Sequence, residues 1–431
     1  MITATVYSQG DSSLEKLKNS LVVKVHCEPV PPTMENKQVL FVVDVSGSMD
    51  DTMPSLKASL FAARNSLLSL LNIPVDNLSQ EERDKIFTKT CNSSIITFSN
   101  KAKCIWESEK ALGSPETTTF SEAVNKLKTE FSTNMGDGLR IAFQKANNTN
   151  ATWIILLTDG CSNKGDYQTV SAFEQLVKKI PQNTKIVPLG YSTEFDHAVL
   201  SVLGTMSYLD SQESIAESFG IITGEIVSCY GINAKIILPK IQQETLGLDD
   251  LIPTTNKVST NFIGSSSMGC VFSDRKYTYG YLPYGYDSTE SIDSYLDKEG
   301  YLEWYDFTTG ETVRKNFTIQ KSEKFDDEIL ESYFDCLKAK TIMEVYQAKR
   351  NGDETGIRQI VREVEQWSHP MSIKHKQEVI RLCSQNDRSV NLSLLSQAGS
   401  SILQTSYRLG RFATPSQIFA SDRSINDFHQ C

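Results

Sequence analysis

The sequence predicts a doubly wound α/β domain set between β-rich flanks and followed by a helical region. Three observations carry that expectation. Two short apolar runs, Phe41-Val42-Val43 and Trp153-Ile154-Ile155-Leu156-Leu157, each end abruptly at an aspartate, Asp44 and Asp159. Across residues 36–230, β-branched runs alternate with stretches of helical period. Beyond residue 230 the chain turns to aromatic and threonine-rich runs broken by turn residues, and from Phe325 to an apolar repeat of roughly four residues.

A run such as 41–43 is apolar without alternation, which suits a strand buried on both faces of a parallel sheet. Strands are expected at 38–44, 93–99, 152–158 and 184–190, with an antiparallel edge strand near 103–107 and a short last strand near Tyr208. Helices are expected at 54–71, 121–128, 136–146, 167–180 and 214–229. Pro54 fits a first helical turn, and Ser121 followed by Glu122 suits a helix start. Residues 72–89, with Glu81-Glu82-Arg83-Asp84-Lys85, read as a longer helical or looped insertion. Strands that alternate with helices imply a Rossmann-like parallel sheet, whose ligands gather at the C-terminal ends of the strands. Asp44 and Asp159 both stand at such ends.

In the flanks, 234–238, 276–282, 301–307 and 312–319 are β-type runs, with Thr309-Gly310-Glu311 as a turn. Residues 21–29 are a further strand candidate with no evident place in the α/β sheet. The expected organisation is therefore an N-terminal segment 1–35 contributing to a β-sandwich, an α/β domain at 36–230 inserted in it, and the rest of the sandwich at 231–322. A helical domain at 323–398 and an extended tail at 399–431 follow. Ile329, Tyr333, Leu337, Thr341 and Val345 mark the helical repeat, with Ile357, Ile360, Val361 and Val364 after the Asn351-Gly352 break.

Composition narrows the function classes. The 431 residues are 39% hydrophobic and 22% charged, as in globular proteins. A net charge of −10 and the lack of a basic stripe with interleaved aromatics speak against nucleic acid. No run approaches the ~18 apolar residues of a membrane span, and the N-terminus shows no secretory pattern, so a cytoplasmic protein is expected. The nine cysteines are scattered, odd in number and free of Cys-x-x-Cys, which favours reduced core thiols over disulfides or zinc.

Asp44, Ser46 and Ser48 place one carboxylate and two hydroxyls around a strand tip, a hard oxygen set suited to a small divalent cation. Capping of nearby turns is the competing role for such residues. A second strand ends in Thr158-Asp159-Gly160, and between the two lies the polar loop Ser132-Thr133-Asn134-Met135-Gly136-Asp137. In these three segments the chain resembles a von Willebrand factor type A (VWA) domain with its metal-ion-dependent adhesion site, whose pattern falls on Asp44, Ser46, Ser48, Thr133 and Asp159. The resemblance implies Mg²⁺ (or Mn²⁺), bound directly by the three hydroxyls and directly or through water by the two carboxylates. It also implies an exchangeable water that an Asp or Glu of a protein partner replaces. An acidic chain repels such a partner at long range, so the cation's local field must supply the attraction. The order of the regions is similar to that of cytoplasmic type A proteins, including plant RING-type ubiquitin ligases, although this sequence has no RING cysteines.

Other features have narrower readings. Asp50 and Asp51 raise the question of a second ion, against an ordinary turn before Pro54; Asp137 suits a helix start. Catalytic residues are not expected. A haloacid-dehalogenase-like site needs a second carboxylate where Ser46 stands, a serine nucleophile at Ser46 or Ser48 needs a histidine that the neighbouring sequence lacks, and no Walker loop is present. Tyr277, Tyr279 and Tyr281 share one face of a strand, with Tyr284 and Tyr286 following, and suit a half-buried sandwich face more than a binding platform. The function expected is a Mg²⁺-dependent protein-interaction module. An adaptor in ubiquitin-linked or chaperone assemblies and a metal-dependent hydrolase are the alternatives.

Overall fold

The computed structural model describes residues 2–7, 20–113, 118–146, 149–159, 161–181, 183–191, 196–204, 207–209, 212–237, 245–247, 261–262, 265–273, 276–282, 299–322, 341, 344–345, 348–349 and 352–384. They fall in two units, one drawing on Met1–Glu28 and on the chain from Gly231, the other chiefly on Pro29–Tyr230. The strands β1 (Ile2–Tyr7) and β2 (Ser20–His26) belong to the first.

The second unit is the α/β domain. Its chain runs β3 (Lys37–Asp44), α1 (Met53–Leu70), α2 (Gln80–Thr90), β4 (Asn92–Phe98), β5 (Ala102–Glu107), α3 (Ser108–Gly113), α4 (Phe120–Asn125) and α5 (Met135–Lys145). It continues through β6 (Ala151–Thr158), α6 (Val170–Val177), β7 (Thr184–Gly190), α7 (His197–Leu203), β8 (Ser207–Tyr208) and α8 (Gln212–Ser228). The sheet order is β5-β4-β3-β6-β7-β8, with β5 alone antiparallel to its neighbour. Every residue of β3 and β6 is buried, as continuous apolar runs require when helices cover both faces. From β3 the chain first winds outward through β4 and β5, then returns to start β6 on the other side. A crevice therefore opens beyond the C-terminal ends of β3 and β6, at the point where strand order reverses.

Several element starts differ from the expected ones. Helix α4 is capped by Thr119, whose hydroxyl accepts from the Glu122 N–H while the Glu122 carboxylate accepts from the Thr119 N–H. Ser121 is instead buried inside the first turn. Helix α6 begins after its cap Thr169, not at Tyr167, because Ser162 donates to the Tyr167 carbonyl at 2.7 Å and Gly165 takes a left-handed φ of +82°. The stretch 72–89 resolves into a 3₁₀ turn at Val75–Asn77 and helix α2, capped by Ser79 and Glu82. Helices α3 and α7 were not expected.

Beneath α1, α2 and α4 lies a buried polar knot. The Arg64 guanidinium, with no exposure, pairs with Asp84 and donates to Ser121 Oγ at 3.1 Å, Gln80 Oε1 at 3.1 Å and Asn65 Oδ1 at 2.8 Å. The second Asp84 oxygen accepts the Ser121 N–H at 2.9 Å. Phe120 closes the knot, its ring packed edge-on to Phe41, Phe61, Phe87 and Trp106.

The first unit holds β9 (Cys229–Ile237, from Gly231), β10 (Thr245–Gly247), β11 (Asn261–Phe262), β12 (Ser265–Phe272), β13 (Lys276–Leu282), β14 (Glu299–Asp306) and β15 (Glu311–Ser322). Strand order is β11-β10-β13-β2-β1-β15-β14-β9-β12. The strand expected at 21–29 is β2, antiparallel to both β1 and β13. Strand β15 pairs antiparallel with β14 through Glu311–Thr318, then parallel with β1 through Ile319–Ser322. These are successive, non-overlapping halves of one strand. The side chains of Tyr277, Tyr279 and Tyr281, and all of Tyr284 and Tyr286, lie outside the described residues, as do Ile329, Tyr333, Leu337 and the chain after Ser384. The helices Glu354–Glu365 and Pro370–Ser384 join around Val345, Val364, Val379 and Leu382. No helix among the described residues is long and apolar enough to cross a membrane.

Candidate metal centre

Asp44 is the last residue of β3 and has no solvent exposure. Its Oδ1 accepts the Ser46 N–H at 2.9 Å and its Oδ2 accepts the Thr158 hydroxyl at 2.6 Å. Ser46 Oγ lies 3.0 Å from Ser48 Oγ, and Ser48 Oγ donates to Asp159 Oδ1 at 2.8 Å. Asp44, Ser46, Ser48 and Asp159 thus form one hydrogen-bonded chain across the crevice between the β3 and β6 tips. Thr158, which fixes the far oxygen of Asp44, was not among the expected site residues. A hydroxyl next to the aspartate at the end of an otherwise apolar strand was the available signal.

Thr133 is nearly buried, and none of its hydrogen bonds goes to the other four side chains. Its loop is fastened to both strand tips instead. The Thr133 N–H donates to Asn163 Oδ1 at 2.9 Å, and its carbonyl accepts the N–H groups of Asn163 and Lys164 at 2.9 and 3.2 Å. On the other side, Asn134 N donates to the Ser99 carbonyl at 2.8 Å and Glu130 N to the Val45 carbonyl at 2.6 Å. Helix α5 then lies close on the sheet at Gly138, where a Cβ would stand 2.9 Å from the Phe98 ring and 3.1 Å from Val42. Gly160 lies outside the described residues.

Electrostatics make the crevice a poor place for two carboxylates alone. Burial pushes the Asp44 carboxyl up to about 6, against the hydrogen bonds from Thr158 and Ser46, and the charge of Asp159 adds to the rise. Asp159 is raised by burial as well, opposed by the Ser48 hydroxyl. The donors present, hydroxyl and carboxylate oxygens, are the kind a small divalent cation such as Mg²⁺ takes. Among the described residues no three His, Cys, Asp or Glu side chains gather.

The neighbouring acids have other partners. Asp50 accepts from Thr129 Oγ1 at 3.1 Å, and Asp51 is exposed. Asp137 sits in the first turn of α5, where it accepts the Ala102 N–H at 3.0 Å and pairs with Arg140. Burial raises its pKa, but Arg140 and the Ala102 N–H outweigh that and hold it below the usual range.

No curated protein matches the chain. Among solved structures, a von Willebrand factor type A protein from Catenulispora acidiphila shares 13% identity over 92% of this chain and 96% of its own, at a TM-score of 0.55. Human COPII-coat protein Sec24c shares 12% over 88% of this chain and 59% of its own, at 0.47. The PilB minor pilin from Streptococcus sanguinis shares 17% over 46% and 63%, at 0.34. At these identities the first likeness is one of fold. The family model of the von Willebrand factor type A domain matches residues 38–216, the stretch that holds both strand tips and the threonine loop, and the chain therefore carries a VWA domain with a Rossmann-like α/β sheet.

Proposed function

We propose that Asp44, Ser46, Ser48, Thr133 and Asp159 bind Mg²⁺ or Mn²⁺, and that the cation holds an Asp or Glu of a protein partner. VWA domains commonly mediate protein–protein interactions, and the observation that carries this finer reading is the hydrogen-bonded chain of four oxygen ligands at the strand-order reversal. On this reading the site binds a carboxylate and is not a nucleophilic centre: the Ser46 hydroxyl is engaged with that of Ser48, and Ser48 donates to Asp159. The β-rich unit is read as a sandwich in which β15 passes from one sheet to the other, with the VWA domain inserted between β2 and β9.

Asp44→Ala should abolish Mg²⁺ binding while leaving the fold intact, since the side chain lies at a strand tip. Calorimetry that returns wild-type affinity would sink the assignment. Thr133→Ala should weaken capture of a carboxylate-bearing partner, and chelation should release the same partner until Mg²⁺ is restored. Capture indifferent to both treatments would refute the carboxylate role.

The raised Asp44 pKa fixes a sign. Without cation, this carboxyl contributes stability that is fully present below about pH 4 and lost as pH rises through about 6, because the folded state holds the proton more tightly. Mg²⁺ competes with that proton. Mg²⁺ affinity is expected to fall as pH drops from 7 to 5, with proton release on binding near pH 6, which calorimetry in buffers of different ionisation enthalpy measures.

A further inference from the structure

Phe131 is the most exposed large apolar side chain among the described residues, at 89% of full exposure. It stands in the threonine loop, two peptide units from Thr133, so no more than about 7 Å of backbone separates the two Cα atoms. The loop is not free to fold the ring inward. Glu130 is fixed before it, by its N–H on the Val45 carbonyl at 2.6 Å and by its carboxylate on Ser99 and on Lys103 at 3.0 Å. Thr133 and Asn134 are fixed after it, on Asn163 and Ser99. Between these anchors Ser132 takes a left-handed φ of +67°, a conformation that non-glycine residues adopt rarely and that clusters at functional sites.

We propose that Phe131 is a second contact for the partner: an apolar side chain two positions from the metal-binding Asp or Glu, on the same face of an extended segment, packs on its ring. This rests on the metal-centre reading above. In an extended peptide the immediate neighbours of the acid point to the opposite face, whereas residues two positions away share its face about 7 Å along the chain, the span that separates Phe131 from Thr133. The adjacent charge in the loop, Glu130, already has Ser99 and Lys103, so beside Phe131 the loop offers the flanking residue an aromatic face. An aromatic ring beside a desolvated polar anchor is the usual composition of an interface hot spot. The partner recognised is therefore a protein segment with one acid flanked by leucine-like residues, as opposed to an acidic run.

The test uses the full-length protein and two fluorescein-labelled octapeptides in a Gly/Ser frame, one holding Leu-Ser-Glu-Ser-Leu, the other Ser-Ser-Glu-Ser-Ser. Fluorescence polarisation in Mg²⁺ should show the Leu-flanked peptide binding about ten-fold tighter, equivalent to about 1.4 kcal/mol. Phe131→Ala should reduce that preference to less than about two-fold while calorimetry finds Mg²⁺ affinity unchanged; Phe131→Leu should keep most of it. Equal binding of the two peptides, no binding of either, or a preference that survives Phe131→Ala overturns the proposal. Its failure is separable from that of the metal centre, because Asp44→Ala must abolish Mg²⁺ binding whether or not Phe131 matters.

Discussion

Arg64→Ala is expected to destabilise the VWA domain by about 3–5 kcal/mol, among the largest losses that a single substitution in this chain could cause. The guanidinium is fully buried and the Asp84 it pairs with is 3% exposed. Without Arg64, the Asp84 carboxylate stays buried with the Ser121 N–H as a neutral donor. The losses also include packing, since Arg64 lies 5.3 Å from the Phe61 ring centroid and 5.8 Å from that of Phe120. Hydrogen exchange read by mass spectrometry, comparing α1, α2 and α4 with the β-rich unit, assigns the loss to its domain. Replacing both members of the pair, Arg64→Leu with Asp84→Leu, should recover part of the loss, because no uncompensated charge then remains. A single Arg64→Ala that costs less than about 1 kcal/mol would show that the knot contributes little.

Deletion of residues 1–28 is expected to have the second large effect. Strands β1 and β2 are interior members of their sheet, with β13 on one side and β15 on the other. Without them β13 loses its partner along Lys276–Tyr281, and β15 loses its partner over Ile319–Ser322. Two new edges with unpaired N–H and C=O groups invite association between chains. The shortened protein should aggregate or elute as oligomers, whereas a fragment spanning 29–230, whose sheet contains neither strand, should fold and bind Mg²⁺. A monomeric 29–431 protein that melts cooperatively would remove the support for an inserted domain.

How much of this could be read beforehand depended on the physical signal at each place. Strands β3 and β6 were legible because burial on both faces leaves an unbroken apolar run that stops where the polar residues of the candidate site begin. The site's four directly linked residues were legible for the same reason, since they stand at those stops. Thr133 was named by family resemblance alone; what holds its loop, the Asn163 side chain and main chain on Thr133 and the Ser99 carbonyl on Asn134, is a set of long-range contacts that leave no pattern in sequence. The knot was hidden more thoroughly. Asp84 stands in Glu81-Glu82-Arg83-Asp84-Lys85, which looks like a solvated face, and only the fold turns that residue inward. The one available clue was Arg64 on the same helical face as Leu56, Leu60 and Leu67, all without exposure. Thr119 was passed over in favour of Ser121, although its spacing to Glu122 is that of a capping box.

The pairing of Ala4 with Ile319 also sets a schedule for synthesis. Strand β1 must wait for its partner β15, about three hundred residues later. At ordinary elongation rates of roughly 5–20 residues per second, that delay is roughly 15–60 s. The VWA domain, whose strands and helices all lie between Lys37 and Ser228, can be complete well before the wait ends. During the interval β1 and β2 are a nascent hairpin with both outer edges open, and two strands alone are marginal in water. The segment most exposed to chaperones and to misassociation is therefore this hairpin, and slower translation of the region after residue 230 should lengthen that exposure without touching the VWA domain.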